Sequence, residues 1–130
     1  MGLRITLKPN ERLIINGGAV RNGDRSTVLH FENHCKFLRG SEIILESEAN
    51  TPCKQLCLLI QIIHLSENSP EMERLFFEKS VEILKYLPSA APFLLDIQRF
   101  LSDNETHRAI KVGRDLLYHE VNIIERRASA

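Results

Sequence analysis

The hydrophobic period of the chain changes near residue 50, and this change limits the folds open to it. Before that point apolar and polar residues alternate, as in LRITLKP at 3–9 and STVLHFE at 26–32. Such alternation predicts strands with one buried face. Beyond residue 50, apolar residues recur every three or four positions, which predicts amphipathic helices. Strands followed by helices indicate the α+β class.

Two Asn-Gly dipeptides lie close together in the first part, at Asn16-Gly17 and Asn22-Gly23. Asn-Gly is a strong hairpin signal, because both central residues of a type I′ turn need positive φ. We therefore predict an antiparallel β-meander of four to six short strands over residues 1–49, with a later turn at Gly40. We expect the meander to pack against the helices, so that the chain forms one compact unit.

Proline residues mark the starts of the helices predicted in residues 50–130. Thr51-Pro52 and Ser69-Pro70 each combine an N-cap residue with proline at the first helical position. Pro92 lies near the start of a third, shorter helix, and Asp103 or Asn104 is expected to cap a fourth. These signals predict a bundle of about four helices. The apolar stripe of the fourth helix is predicted to contain Ala109, Ile110, Gly113, Leu117, Val121 and Ile124.

The net charge of the chain is zero, but the charge is unevenly distributed. Residues 1–40 contain seven Lys/Arg and three Asp/Glu, whereas residues 41–130 contain ten and fourteen. Residues 1–40 are therefore basic (+4) and residues 41–130 acidic (−4). A basic surface with nearby rings is suited to RNA, whose phosphates meet cations and whose unpaired bases stack on aromatic or guanidinium planes. The same charges are also typical of ordinary strand ends and turns.

The candidate RNA-binding residues are the polar and cationic side chains of the predicted turns and strand ends. They are Arg12, Arg21, Asn22, Arg25, His30, Lys36 and Arg39. Phe31, His34 and Phe37 are further candidates for stacking on bases.

Cysteine and histidine residues at helical spacing raise the question of a metal site. Cys53, Cys57 and His64 lie one and then about two turns apart along one helix face, and His34 or Cys35 could complete four ligands. Structural zinc sites usually have closer knuckle spacings, and this face is apolar. We therefore favour buried free cysteines and predict no metal.

The sequence contains no recognisable catalytic motif. It has no nucleophile elbow, phosphate-binding loop or dinucleotide-binding loop. His119-Glu120 lacks the second histidine of a zinc-protease helix and is interpreted as part of a solvated helix face. We predict that the protein is not an enzyme and requires no cofactor.

Nothing in the sequence indicates secretion or a membrane partner. The first residues lead directly into an alternating segment. The longest apolar run, CLLIQIIHL at 57–65, is far shorter than the ~20 residues that span a bilayer. Three cysteines without a secretory signal are typical of a reducing cytosol. We therefore expect a soluble cytoplasmic protein.

Several short motifs resemble those of the FlbT family of bacterial flagellar regulators. They are LKPNER at 7–12, NG at 16–17, NGDR at 22–25, EN at 32–33 and EANTP at 48–52. The resemblance extends over nearly the whole chain, including the length and order of the helical part. Two features depart from the family pattern: Gly18 makes the first turn Asn-Gly-Gly, and Cys53 and Cys57 stand where cysteine is not expected.

The resemblance implies a post-transcriptional repressor of flagellin synthesis. Such proteins act on the 5′ untranslated leader of flagellin mRNA, repress its translation and promote its decay, with the sign reversed in some relatives. The family also implies the small flagellar protein FlaF as a partner. We expect the basic β part to hold the leader, leaving the acidic helices to bind a protein or to form a homo-oligomer. The alternative, suggested by the zero net charge, is an adaptor that binds FlaF or flagellin through its helices.

Overall fold

A computed structural model describes residues 2–129 and confirms the α+β class. Its strands are β1 (Leu3–Leu7), β2 (Arg12–Ile15), β3 (Gly18–Arg21), β4 (Thr27–Phe31) and β5 (Phe37–Arg39). Its α-helices are α1 (Pro52–Leu65), α2 (Pro70–Tyr86), α3 (Ala91–Ser102) and α4 (Thr106–Ser129). The chain divides into an N-terminal unit, Met1–Ile43, and a C-terminal unit, Ile44–Ala130.

The five strands are antiparallel, as predicted, and they pair in two small sheets rather than in one meander. In the first sheet β1 pairs with β4, so that Leu3 is opposite Phe31 and Leu7 is opposite Thr27. In the second sheet β2 lies between β3 and β5. Among β1–β5, β2 and β3 are the one consecutive pair of strands that also pair with each other, and a two-residue turn at Asn16-Gly17 joins them.

The two Asn-Gly dipeptides have different roles. Asn16 and Gly17 have φ of 49° and 84°, as a type I′ turn requires, and they join β2 to β3. Asn22 and Gly23 do not have positive φ. Instead, the Asn22 N–H donates to the Glu11 carbonyl at 2.9 Å and the Asn10 N–H donates to the Gly23 carbonyl at 2.8 Å. The second dipeptide therefore extends the β2–β3 hairpin instead of starting another.

The core of the N-terminal unit contains the inward-facing residues of both sheets. Ile5 and Leu7 of β1 and Leu13 of β2 are its buried centre. The residues packed around them are Ile15, Leu29, Phe31 and Phe37. The rings of Phe31 and Phe37 meet edge-on, with their centroids 4.9 Å apart. These two rings, candidates for stacking on bases, are thus partly buried and pack against the core.

The C-terminal unit is a bundle in which α1 packs against α2 and α4, and α3 packs against α4. The first two helices begin as predicted: the Thr51 and Ser69 hydroxyls each accept from a backbone N–H three residues further on, with proline in the first turn. Fully buried side chains of the bundle include Leu56, Ile60, Ile83, Ile97 and Leu116. None of the helices within residues 2–129 has both the length and the hydrophobicity of a membrane span.

The fourth helix begins at Thr106, later than we predicted. Asp103 and Asn104, the expected caps of this helix, instead end α3. Asn104 has a φ of 58°, and the Glu105 N–H donates to the Phe100 carbonyl at 2.8 Å. This left-handed ending is common at helix C-termini and satisfies carbonyls that the helix leaves without partners.

The buried face of α4 also departs from the predicted stripe in its second half. Ala109, Ile110 and Gly113 are buried as predicted. Further along, Leu116 is fully buried, whereas Val121 and Ile124 are 46% and 49% exposed. The prediction failed there because a polar residue, Glu120, occupies the buried position.

Glu120 is 2% exposed, although we predicted a solvated side chain. Its carboxylate accepts hydrogen bonds from the Tyr86 hydroxyl and, at 3.1 Å, from the Thr51 hydroxyl. These donors compensate for its burial. Cys53 Sγ lies 3.4 Å from the Tyr86 hydroxyl, and Cys57 Sγ lies 3.3 Å from the Gly113 carbonyl oxygen.

The two helical cysteines are part of this interior. Burial raises the pKa of Cys53 and of Cys57 to about 12, so both thiols stay protonated near neutral pH. His64, the third residue of the zinc alternative, is buried with Nδ1 2.7 Å from the Thr106 hydroxyl. Across residues 2–129, no three His, Cys, Asp or Glu side chains are placed to hold a metal ion.

Candidate functional site

The Asn22 side chain ties together separate backbone segments of the N-terminal unit. Its Nδ2 donates to the carbonyl oxygens of Lys8 at 2.9 Å and Arg25 at 2.8 Å, and its Oδ1 accepts from the Gly23 N–H at 2.9 Å. Lys8 follows β1 and Arg25 precedes β4, so one amide holds the adjacent ends of these two paired strands. The amide hydrogens of Asn22 are therefore engaged within the chain.

Four exposed cations are grouped around this amide. Lys8 and Arg25 are the residues whose carbonyl groups Asn22 binds. Arg12 and Arg21 are opposite each other across β2 and β3, next to the point where Asn22 extends the hairpin. Directly opposed residues project from the same face of a sheet, with Cβ atoms about 5 Å apart. We call Lys8, Arg12, Arg21 and Arg25 the basic end.

The three arginines of the basic end form no ion pair within residues 2–129. Like charges directly opposite each other destabilise a pair of strands. In the described part of the chain, no carboxylate lies within ion-pair distance to relieve the repulsion between Arg12 and Arg21. A bound anion would relieve it.

Arg39 lies on the other face of the second sheet, because it is opposite Leu13 rather than Arg12. Its Nε and Nη2 donate to the two carboxylate oxygens of Glu11, each at 3.1 Å, and Nη2 also donates to the Thr6 carbonyl. The hydrogen bond from Arg39 is the main reason that the pKa of Glu11 is lowered. This guanidinium joins β5 to the connection between β1 and β2 and is not part of the basic end.

His30 and Lys36 also lie apart from the basic end. His30 is opposite Arg4 on the outer face of the β1–β4 pair. Lys36 is beside the hairpin turn, where the Asn16 N–H donates to its carbonyl at 3.2 Å. That turn is at the far end of β2 from Arg12, about 10 Å along the strand. The structure thus brings together Arg12, Arg21, Asn22 and Arg25 and separates from them His30, Lys36 and Arg39.

Lys8 is the member of the basic end that the sequence-based prediction did not include. In the sequence, the position of Lys8 beside Pro9 did not mark it as a candidate RNA-binding residue. A usable signal was present in the motifs, however, since LKPNER at 7–12 and NGDR at 22–25 contain three of the four cations together with Asn22. These two short motifs are the segments that the Asn22 amide holds together.

Comparison with known proteins identifies the family to which this chain belongs. The family described as flagellar protein FlbT matches residues 3–124. The chain belongs to the FlbT family, which confirms the resemblance seen in its motifs. No solved structure matches it.

Relatives from several bacteria are similar over most of their length. A probable flagellum biosynthesis repressor protein FlbT 1 of Bradyrhizobium diazoefficiens is 29% identical over 121 residues, which cover 92% of this chain and 83% of the relative. A probable flagellum biosynthesis repressor protein FlbT of Caulobacter sp. strain K31 is 28% identical over 125 residues, which cover 92% of this chain and 94% of the relative. A protein of the same name from Mesorhizobium japonicum is 31% identical over 117 residues, which cover 88% of this chain and 79% of the relative.

Proposed function

We propose that this chain is a post-transcriptional repressor of flagellin synthesis that binds the 5′ untranslated leader of flagellin mRNA through the basic end. The observation that carries the proposal is the grouping of Arg12, Arg21 and Arg25, which are exposed and have no ion pair within residues 2–129. The names of the similar relatives, flagellum biosynthesis repressors, support a regulatory role.

The chemistry of guanidinium groups suits a single-stranded RNA leader. A guanidinium binds phosphate oxygens through two parallel hydrogen bonds and also stacks on unpaired bases. The paired strands fix the backbones of Arg12 and Arg21, and the Asn22 amide fixes that of Arg25. Because less ordering is then needed on binding, these side chains are well prepared for an extended anion.

The proposed mechanism is occlusion of the message. A leader held on the basic end is unavailable to the ribosome, and an untranslated message is exposed to cellular nucleases. The chain itself supplies no nuclease chemistry in this mechanism. The sign of the effect in the cell is therefore repression.

Fluorescence anisotropy with the flagellin leader and a scrambled leader, at several salt concentrations, tests this function. The variant Arg12→Gln/Arg21→Gln/Arg25→Gln removes three cations of the basic end. The matched control, Arg74→Gln/Lys85→Gln/Arg108→Gln, removes three cations from exposed positions on the helices. Each phosphate contact contributes about −0.7 to the slope of log K against log salt. We therefore expect the basic-end variant to lose about two units of slope and the control to lose none.

Selective binding of the natural leader is essential to the proposal. Equal binding to both RNAs, or equal losses in the two triple variants, would contradict it. If the wild-type chain binds neither RNA, the adaptor that acts through its helices becomes the better explanation. His30→Gln and Lys36→Gln serve as further tests, since their positions away from the basic end predict small effects.

A further inference from the structure

An apolar groove of about 380 Å³ runs between α2 and α3 in the C-terminal unit. Ile63, Phe76 and Leu94 are buried beneath it, whereas Phe77 and Leu95 on its walls are 68% and 63% exposed. Exposed apolar side chains that line a groove together are typical of an interaction site rather than of free surface.

A second apolar surface lies on the C-terminal half of α4. Tyr118, Val121 and Ile124, three residues apart, are 69%, 46% and 49% exposed. We call these three residues the α4 stripe. Two cations, Arg126 and Arg127, follow the stripe in the last turn of the helix.

The groove and the α4 stripe match in length. The groove extends from Glu73 to Leu84 along α2 and from Ala91 to Ser102 along α3. At the helical rise of 1.5 Å per residue, each of these spans is about 16 Å long. The segment of α4 from Tyr118 to Arg127 is about 14 Å long by the same measure. One α4 segment is therefore long enough to fill the groove.

The two surfaces also match in charge. Glu73 lies at one end of the groove, where its Oε1 is 3.4 Å from the Asn68 amide nitrogen. It forms no ion pair within residues 2–129, and neither do Arg126 and Arg127. A helix that enters the groove with its basic C-terminus toward Glu73 would place opposite charges together at the rim.

We propose that the chain forms a two-fold dimer in which the α4 stripe of each copy packs into the α2–α3 groove of the other. The basic C-terminal turn of one copy then faces the partner's Glu73. A two-fold arrangement forms this contact twice and closes on itself, so that neither groove remains open. The inference goes beyond the proposed function, because it concerns only the C-terminal unit and requires no RNA.

Sedimentation velocity on the full chain, without RNA, tests the dimer. Leu95→Asp places a charge in the groove, and Ile124→Asp places one on the α4 stripe. Ile62→Asp on α1 is the matched control, since this side chain is 42% exposed and belongs to neither surface. We expect the wild type and the control to sediment as dimers. Each of the other variants should have a dissociation constant raised at least about tenfold.

Mixing the two variants gives a sharper test. A heterodimer of Leu95→Asp with Ile124→Asp retains one intact contact, between the groove of the second variant and the stripe of the first. The mixture should therefore contain more dimer than either variant alone. Circular dichroism checks that each variant is folded, and Phe77→Asp replaces Leu95→Asp if the latter does not fold. A wild type that stays monomeric at all concentrations, or a dimer that survives both substitutions, would overturn the proposal.

Discussion

Glu11 joins three parts of the N-terminal unit through one carboxylate. Its oxygens accept from the Arg39 guanidinium at 3.1 Å and from the Lys8 N–H at 2.8 Å. Gly40 leaves room for this arrangement, because a Cβ at that position would lie 2.7 Å from Glu11 Oε2. Gly40 also has a φ of 49°, which disfavours other residues. Gly40, which we predicted as a turn residue, thus also leaves the space that the ion pair between Glu11 and Arg39 occupies.

Glu11→Gln is expected to reduce the free energy of unfolding by about 1 kcal/mol at pH 7, a value discounted for partial exposure. The pKa of Glu11 is lowered in the folded state. Its stabilising contribution is therefore present above the unfolded pKa, about 4.3, and is lost as pH falls through the folded pKa.

Urea unfolding at a series of pH values measures this effect. The difference between the wild type and Glu11→Gln should narrow as the pH falls below about 4. Glu78→Gln is the control, because its carboxylate is 63% exposed and its nearest cation, on Arg74, is 4.0 Å away. A difference for Glu11→Gln that is the same at every pH would contradict the role assigned to the ion pair.

The grouping of the candidate site could be predicted only in part at the level of residues. Arg21, Asn22 and Arg25 are close in sequence around the second Asn-Gly dipeptide, so their neighbourhood follows from the sequence alone. The sequence could not separate Arg39 from Arg12, because a shift of one residue in strand register moves a side chain to the other face. Pairing of β5 with β2 sets that register, and it depends on contacts distant in sequence.

At the scale of the element, the two Asn-Gly dipeptides provide a matched pair of substitutions. Gly17 has a φ of 84°, so Gly17→Ala should lower the free energy of unfolding by about 1 kcal/mol. Gly23 does not have positive φ, and a Cβ there meets nothing within 4 Å. Gly23→Ala should therefore change stability by less than about 0.5 kcal/mol. Urea unfolding of both variants checks this, and equal losses would show that the dipeptides form similar turns.

Element boundaries were predictable where the signal was local and unambiguous. Thr51-Pro52 and Ser69-Pro70 fit only a helix start, and α1 and α2 begin there. Asp103-Asn104 fits both a helix start and the left-handed end of the preceding helix, and local sequence does not choose between them. The pairing of β1 with β4 was not predictable either, since alternation marks a strand but not its neighbour.

At the scale of the whole molecule, zero net charge conceals a basic β part and an acidic helical part. We predict that the wild-type chain binds heparin at low salt despite its neutrality, because clustered cations act together on a polyanion. Salt should release it by screening. The basic-end variant, Arg12→Gln/Arg21→Gln/Arg25→Gln, should elute at markedly lower salt than the wild type. The helix variant Arg74→Gln/Lys85→Gln/Arg108→Gln has the same net charge and should elute with the wild type. Identical elution of both variants would show that net charge alone determines retention.

The hairpin turn at Asn16-Gly17 also affects the order in which the N-terminal unit folds. Only two residues separate β2 from β3, so this pair closes with the smallest loss of chain entropy. Isolated hairpins of this kind form within about 1–10 μs. β1 and β4 are separated by residues 8–26, which contain the whole hairpin. Once formed, the hairpin shortens the flexible connection between β1 and β4 and brings Asn22 near the strand ends that its side chain binds. Fast formation of the hairpin therefore lowers the entropy cost of the slower pairing of β1 with β4.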